Sequence, residues 1–259
     1  MDKKDYKYIY GPVASWRLGC SLGIDPISGE EKVCTFDCVY CQVGAKKASA
    51  QERKIFVPAK AIIEEIKSLP DVKIDYITFS GKGEPTLAKN LGEIIKGIKN
   101  IRRDKIAVIT NASLIDRKDV QGDLRLTDLV MAKLDACSEV LLGKINKPAK
   151  DIRFDRILKG MSEFRAGYKG KFALQIMFVE GNKNSAGALA EIAKKIDPDE
   201  VQVNTPLRPC PAKPLPKKDI DEIKKYFSGM NIVSVYDSVR KKTEAFDREQ
   251  TLKRRGSYD

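Results

Sequence analysis

Between residues 62 and 227 the chain switches repeatedly between two hydrophobic periods, and this restricts its folds more than any other feature. Ile62, Ile63, Ile66 and Leu69 recur at helical spacing, and Pro70 stops them. Leu87, Leu91, Ile94, Ile95 and Ile98 repeat the pattern, as do Ile152, Phe154, Ile157, Leu158, Met161 and Phe164. So do Leu189, Ile192, Ala193 and Ile196, and finally Ile220, Ile223, Tyr226 and Phe227. Short strand-like runs lie between them: 74–80, 106–110, 129–134, 172–179 and 201–204, with 21–24 ahead of them all. Strands that alternate with helices across short connections predict an α/β fold with a parallel sheet. About six β/α units are too few for a closed barrel, so the expectation is a partial, TIM-like (β/α)6 barrel. Its binding face is formed by the loops after the strands. Tyr6, Tyr8 and Tyr10 alternate as a short N-terminal lead-in strand, and an apolar segment at 232–236 precedes a basic tail. No linker divides the chain, so 1–237 reads as a single domain and 238–259 as the tail.

The first strand runs into a cysteine loop, Cys34-Thr35-Phe36-Asp37-Cys38-Val39-Tyr40-Cys41. Three thiolates this close together are a ligand set for an iron–sulfur cluster that keeps one iron free of protein. Zinc is the competing reading, but structural zinc takes four protein ligands. The chain has no histidine, so the fourth would be a distant cysteine. A redox pair at Cys38 and Cys41 leaves Cys34 unexplained. Six cysteines also permit disulfides, although clustered cysteines in a large chain without a secretion signal more often bind metal or do chemistry. The lack of histidine excludes imidazole bases, imidazole ligands and histidine-based triads.

The formal net charge is +12. It suggests a polyanionic partner or an anionic substrate, against the plainer reading of lysine-rich solvated helix faces. No N-terminal apolar run resembles a signal peptide, and no stretch approaches the roughly 20 apolar residues of a membrane span. The expectation is a cytoplasmic protein.

The cysteine loop, with Gly81-Lys82-Gly83-Glu84-Pro85 after the second strand, resembles the radical S-adenosylmethionine (SAM) superfamily. The resemblance covers most of the chain and implies a partial barrel of the radical SAM type. It implies a [4Fe–4S] cluster on Cys34, Cys38 and Cys41, whose open iron chelates the amino and carboxylate groups of SAM. Reduction of SAM there breaks the S–C5′ bond, and the resulting 5′-deoxyadenosyl radical takes a hydrogen from the substrate. Gly81, Gly83 and Glu84 match the family motif whose backbone receives the methionyl amino group, and Lys82 departs from the usual small or polar residue. Tyr40, Asn111, Lys133, Asp135 and Gln175 are further candidates for SAM contact, with Asn204 beside them. Lys133 and Asp135 share one strand face, which fits equally a buried ion pair. Apolar residues such as Leu174, Ile176 and Phe178, or their alternates, are expected to wall the barrel. A reductant such as a flavodoxin or ferredoxin is the implied partner.

Within the superfamily, Lys133-Leu134-Asp135-Ala136, Ile145-Asn146-Lys147-Pro148 and Asn204-Thr205-Pro206 resemble a branch related to wyosine synthases, which modify tRNA. An RNA base is therefore the first expectation for the substrate. A peptide or small metabolite is an alternative, and so is a metal-binding interaction protein without turnover. Cys137 and Cys210 follow strands and are expected near the mouth, as a second cluster, a hydrogen donor or incidental packing. Cys20 is expected in the core. The tail holds seven basic and four acidic residues, which fits phosphate attraction or a solvated end.

Overall fold

Strands that are apolar at nearly every position are covered on both faces, and these build the centre of the molecule. A computed structural model describes residues 6–29, 31–44, 48–49, 51–238 and 243–255. The elements in order are β1 (Ile9–Ser15), β2 (Gly19–Ile24), β3 (Val33–Cys34), β4 (Ala48–Ser49), α1 (Ala59–Lys67), β5 (Tyr76–Phe79) and α2 (Leu91–Ile101). Then come β6 (Lys105–Thr110), α3 (Lys118–Leu124), β7 (Leu129–Lys133), α4 (Glu139–Ile145), α5 (Phe154–Gly167), β8 (Lys171–Met177) and α6 (Ala186–Ile196). The chain continues through β9 (Glu200–Asn204), α7 (Lys217–Tyr226), β10 (Ile232–Ser234) and α8 (Arg248–Arg255).

Eight strands form one sheet in the order β1-β2-β5-β6-β7-β8-β9-β10. All neighbours are parallel except β1, which pairs antiparallel with β2. The sheet curls into a partial barrel, as the alternating periods predict. It has one more parallel strand than expected, because the apolar segment at 232–236 pairs with β9 as β10. Among the described residues no helix is long and apolar enough to cross a membrane.

One side of the sheet packs on the helices. Leu174, Ile176 and Phe178 belong to that buried layer, so they do not wall the interior. Their alternates Gln175 and Met177 face the cavity instead, beside Ser21, Thr78 and Lys133. The upper wall is therefore more polar than the sequence suggested. Lower down, Leu18, Ala107, Leu129, Met131 and Ala173 fill the barrel with a small apolar plug. Cys20 lies within β2 and is half-buried, outside both layers, with Sγ 3.5 Å from Thr243 Oγ1.

The C-terminal stretch read as a basic tail, for phosphate attraction or as a solvated end, packs against the barrel over its described part. β1 is an edge strand, and α8 caps its free polar groups. Gly11 N donates to Thr251 Oγ1 (3.0 Å), and Phe246 N donates to Gly11 O (2.7 Å). Arg254 is buried and reaches the carboxylate of Asp25 at 3.6 Å. Arg240, Lys241, Lys242 and Tyr258 lie outside the described residues.

Candidate metal centre and cofactor cavity

The cysteine loop is held from two sides by backbone contacts. On one side it joins the end of α4 and the turn after it. Asp37 N donates to Asn146 O (2.9 Å), Val39 N to Ile145 O (2.9 Å), and Ala149 N to Thr35 O (2.8 Å). Phe36 is buried in the helix-side core and anchors the middle of the loop. On the other side, β3 meets the glycine loop after β5, where Glu84 N donates to Val33 O (3.2 Å). A Cβ at Gly83 would fall 1.9 Å from Val33 O, and Gly81 sits at φ +140° against Asp25. Glycine is required at 83 for the two loops to touch, and at 81 for the glycine loop to pack against Asp25.

Cys34, Cys38 and Cys41 all line one cavity of about 280 Å³ at the C-terminal ends of the strands. Each thiol has a polar neighbour. Asn111 Nδ2 lies 3.6 Å from Cys34 Sγ, which Phe36 N also approaches at 3.5 Å. Asn146 Nδ2 lies 3.4 Å from Cys38 Sγ. Lys32 is buried beside Cys41, donating to Gly44 O (2.9 Å) and Asp37 (3.3 Å). Burial works to lower the Lys32 pKa, but Cys41, Cys34 and Asp37 outweigh it and leave the pKa raised.

Burial, then the charge of Glu84, pushes the Cys34 thiol up to about 12; burial, then Asp135, pushes Cys38 up to about 11. These groups ionise at neutral pH only when a cation is bound. Among the described residues no three Cys, Asp or Glu side chains converge as ligands of a single ion. A cubane cluster does not ask this of them, because it offers a separate iron to each thiolate. The donor set, the cavity and the sulfur-directed amides fit a [4Fe–4S] cluster.

Behind the loop lies a polar knot. Asp135 accepts hydrogen bonds from the Tyr40 hydroxyl, from Asn146 Nδ2 (2.8 Å) and from Met177 N (2.7 Å). Lys133 Nζ stands 3.3 Å from the same carboxylate and 5.0 Å from the centre of the Tyr40 ring. Burial and the Asp135 charge hold the Tyr40 pKa well above its usual value, so Tyr40 remains a phenol and donates. Tyr40 and Lys133 face the cavity, whereas Asp135 is not part of its lining. The Asp135 carboxylate is thus engaged with Tyr40, Asn146, Met177 N and Lys133, the buried pairing that the shared strand face also allowed.

Glu84 has a similar role on the other side. Its carboxylate accepts from Thr86 N (3.1 Å), Thr86 Oγ1 (2.7 Å), Thr110 Oγ1 (2.6 Å) and Asn111 N (2.7 Å). It ties the glycine loop to the end of β6 and presents Asn111 to Thr35 and Cys34. Gln175 lines the cavity and donates to Gln202 Oε1 (3.2 Å), and Asn204 lines it as well. Sequence reasoning singled out the segment at Asn146 only as a branch likeness and missed its contact with Cys38. It also missed Asp25, which accepts from Ile27 N, Ser28 N and Lys82 N.

Cys137 and Cys210 are half-buried, and neither lines the cavity. Cys210 Sγ donates to Ala212 O (3.1 Å) next to the apolar patch beneath Tyr40.

The family model described as "Radical SAM superfamily" matches residues 32–195, which spans both loops. A UPF0026 protein of Synechocystis is 42% identical over 78% of this chain and 77% of its own length. SuiB of Streptococcus suis, solved with S-adenosylmethionine bound, superposes with a TM-score of 0.62 at 16% identity, over 79% of this chain and 48% of SuiB. Archaeal TYW1 superposes with a TM-score of 0.57 at 16% identity, over 88% of this chain and 79% of its own. These two structures share the partial-barrel fold. The chain belongs to the radical SAM superfamily, enzymes that work with a [4Fe–4S] cluster and S-adenosylmethionine.

Proposed function

We propose that Cys34, Cys38 and Cys41 hold the cluster and that the cavity below it takes an RNA base, with tRNA as the first candidate. A cluster held there would supply the electron for reductive cleavage of SAM, and with it the radical chemistry that activates a C–H bond of the substrate. The observation that carries the reading is one cavity lined by all three loop cysteines, by Gly81 and Gly83, and by six basic side chains.

Each residue has a stated task in this reading. Asn111, Asn146 and Lys32 direct positive dipoles or charge at the sulfurs, which sets the cluster potential. Gly81 and Gly83 bring backbone close enough to receive the SAM amino group. Lys133, held by Asp135, offers its ammonium to the SAM carboxylate. Tyr40, Asn111 and Gln175 orient the nucleoside part by hydrogen bonding and packing, and Asn204 lies beside them. A flavodoxin or ferredoxin delivers the electron, and its usual acidic surface suits a chain of net charge +12.

The test is anaerobic incubation with SAM and reductant against separated tRNA and protein fractions, read by mass spectrometry. The reading expects 5′-deoxyadenosine together with an altered nucleoside in the tRNA fraction. A mass change confined to the protein fraction would replace the RNA reading with peptide modification.

A further inference from the structure

Asp25 follows the last residue of β2 and is buried. Its carboxylate serves two neighbours. Oδ1 accepts from Ile27 N (3.2 Å) and Ser28 N (3.1 Å), which closes the turn after β2. Oδ2 accepts from Lys82 N (3.1 Å), the N–H of the peptide that leaves Gly81. A Cβ at Gly81 would lie 2.4 Å from the Asp25 carboxyl carbon, and one at Gly83 would lie 3.1 Å from Ile27 Cδ1. The turn at 25–28 therefore packs directly against both glycines that line the cavity.

A second element holds the same turn. The Arg254 guanidinium of α8 is buried, with Nε 3.6 Å from Asp25 Oδ2 and Nη2 3.4 Å from Ser28 Oγ. It also donates to the backbone oxygen of Lys7. Ser28 Oγ in turn donates to Asp25 O (2.8 Å). The carboxylate oxygen that receives the glycine loop is thus the one that faces the C-terminal helix. None of these contacts involves a cysteine.

On the reading that Gly81 and Gly83 receive SAM, we infer that Asp25 is a positioning residue for that cofactor. It holds the glycine loop in the shape that takes the methionyl amino group, and Arg254 couples that hold to the docking of α8. A carboxylate oxygen that accepts from a backbone N–H and faces a guanidinium is fixed by both, so displacing one partner frees the other. Such coupling is reciprocal: a docked α8 favours the loop that binds SAM, and bound SAM favours a docked α8. Arg254 also lines the cavity, and a double-mutant cycle separates a direct contact with SAM from one relayed by Asp25.

The test uses the anaerobically reconstituted holoprotein with SAM as the probe. Asp25→Asn keeps the volume but turns an NH2 group toward Lys82 N or toward the 27–28 turn. Its Kd for SAM is expected to rise roughly tenfold, the loss of one hydrogen bond to a charged group. Iron content, and the cluster potential measured without SAM, should stay at wild-type values. Arg254→Ala should weaken SAM binding on its own and add nothing in the Asp25→Asn background. Hydrogen exchange in α8 should slow when SAM is added to the wild type, and not when it is added to Asp25→Asn. Tyr168→Phe removes a buried hydrogen bond to Thr127 (2.9 Å), ahead of β7, and controls for general loss of stability. It should leave SAM affinity unchanged.

Native SAM affinity in Asp25→Asn overturns the inference, as does an equal loss in Tyr168→Phe. Additive losses in the double variant, or α8 exchange that is indifferent to SAM in the wild type, overturn the link through Arg254. Arg254→Ala and the wild-type exchange need no folded Asp25→Asn, so they decide the matter where that variant does not fold. Gly83→Ala is measured alongside. If it binds SAM as the wild type does, the glycine-loop reading has failed; if it loses affinity while Asp25→Asn does not, only the role of Asp25 has.

Discussion

The side-chain amide of Asn146 lies 3.4 Å from Cys38 Sγ, linking residues that stand 108 positions apart in the chain. The same nitrogen reaches the Tyr40 hydroxyl at 3.1 Å and Asp135 at 2.8 Å. One amide therefore joins the Cys38 thiol to the knot that positions Tyr40 and Lys133. Hydrogen bonds to cluster sulfurs favour the reduced state, because they offset its extra negative charge. Asn146→Ala is expected to make the cluster potential more negative, on the order of tens of millivolts. Potentiometric titration followed by electron paramagnetic resonance measures this. A potential unchanged or raised in the variant would remove Asn146 from the tuning role.

Gly83 is the position where the two cofactor loops touch. The Cβ of Gly83→Ala would lie 1.9 Å from Val33 O, so one loop must move. The expected result is a loss of about 1–3 kcal/mol of stability, or about 2–10 °C in Tm. SAM binding should weaken with it. Thermal melting and equilibrium binding check the pair, and an alanine variant with native Tm and native SAM affinity contradicts the loop contact.

Lys133 separates a binding role from a structural one. Its ammonium is buried in the wall, makes no hydrogen bond, and stands 3.3 Å from Asp135, which keeps three other donors. Lys133→Met preserves the length and the apolar stem. SAM affinity of the folded variant should fall roughly tenfold, the loss of one charge-assisted hydrogen bond, beside a drop in Tm because Asp135 stays buried without its ammonium. Isothermal titration of the reconstituted protein tests this. Unchanged affinity would make Lys133 only the counter-charge of Asp135.

Arg254 holds the C-terminal helix against the barrel. It faces Asp25, which is buried and receives three backbone N–H groups. Burial raises the Asp25 pKa despite those donors and despite Arg254. Arg254→Ala removes the guanidinium beside a carboxylate that stays buried, at an expected cost of about 3 kcal/mol. Hydrogen exchange should then rise at 246–255 and along β1, where α8 caps the edge. Protection unchanged in both segments would show that α8 docks without this ion pair.

The sequence carried the order of the elements because each helix and strand has its own period. The cysteine loop and the Gly81–Pro85 loop were legible because their chemistry is local. What stayed hidden depends on contacts between distant residues. Leu174 and Gln175 could not be assigned to faces, because a strand buried on both sides gives no alternation to read. Asn146 stood only in a stretch with a branch likeness until the fold laid it against Cys38. The docking of α8 uses Thr251 against Gly11 of the edge strand, 240 residues earlier, and buried Arg254 against Asp25 and Lys7, and nothing in a basic C-terminal run announces that.

Reductive cleavage of SAM by the wild-type protein and by Cys38→Ala is the most direct measurement. Cysteine-loop backbone bonds to Ile145, Asn146 and Ala149 do not depend on the Cys38 side chain, so the variant should keep its fold. After anaerobic reconstitution with iron and sulfide, the wild type is expected to hold a [4Fe–4S] cluster and to release 5′-deoxyadenosine with reductant. The variant, folded by circular dichroism, should release none. Reductive cleavage that survives in Cys38→Ala, or a wild-type protein that takes up zinc and no cluster, contradicts the assignment of Cys34, Cys38 and Cys41.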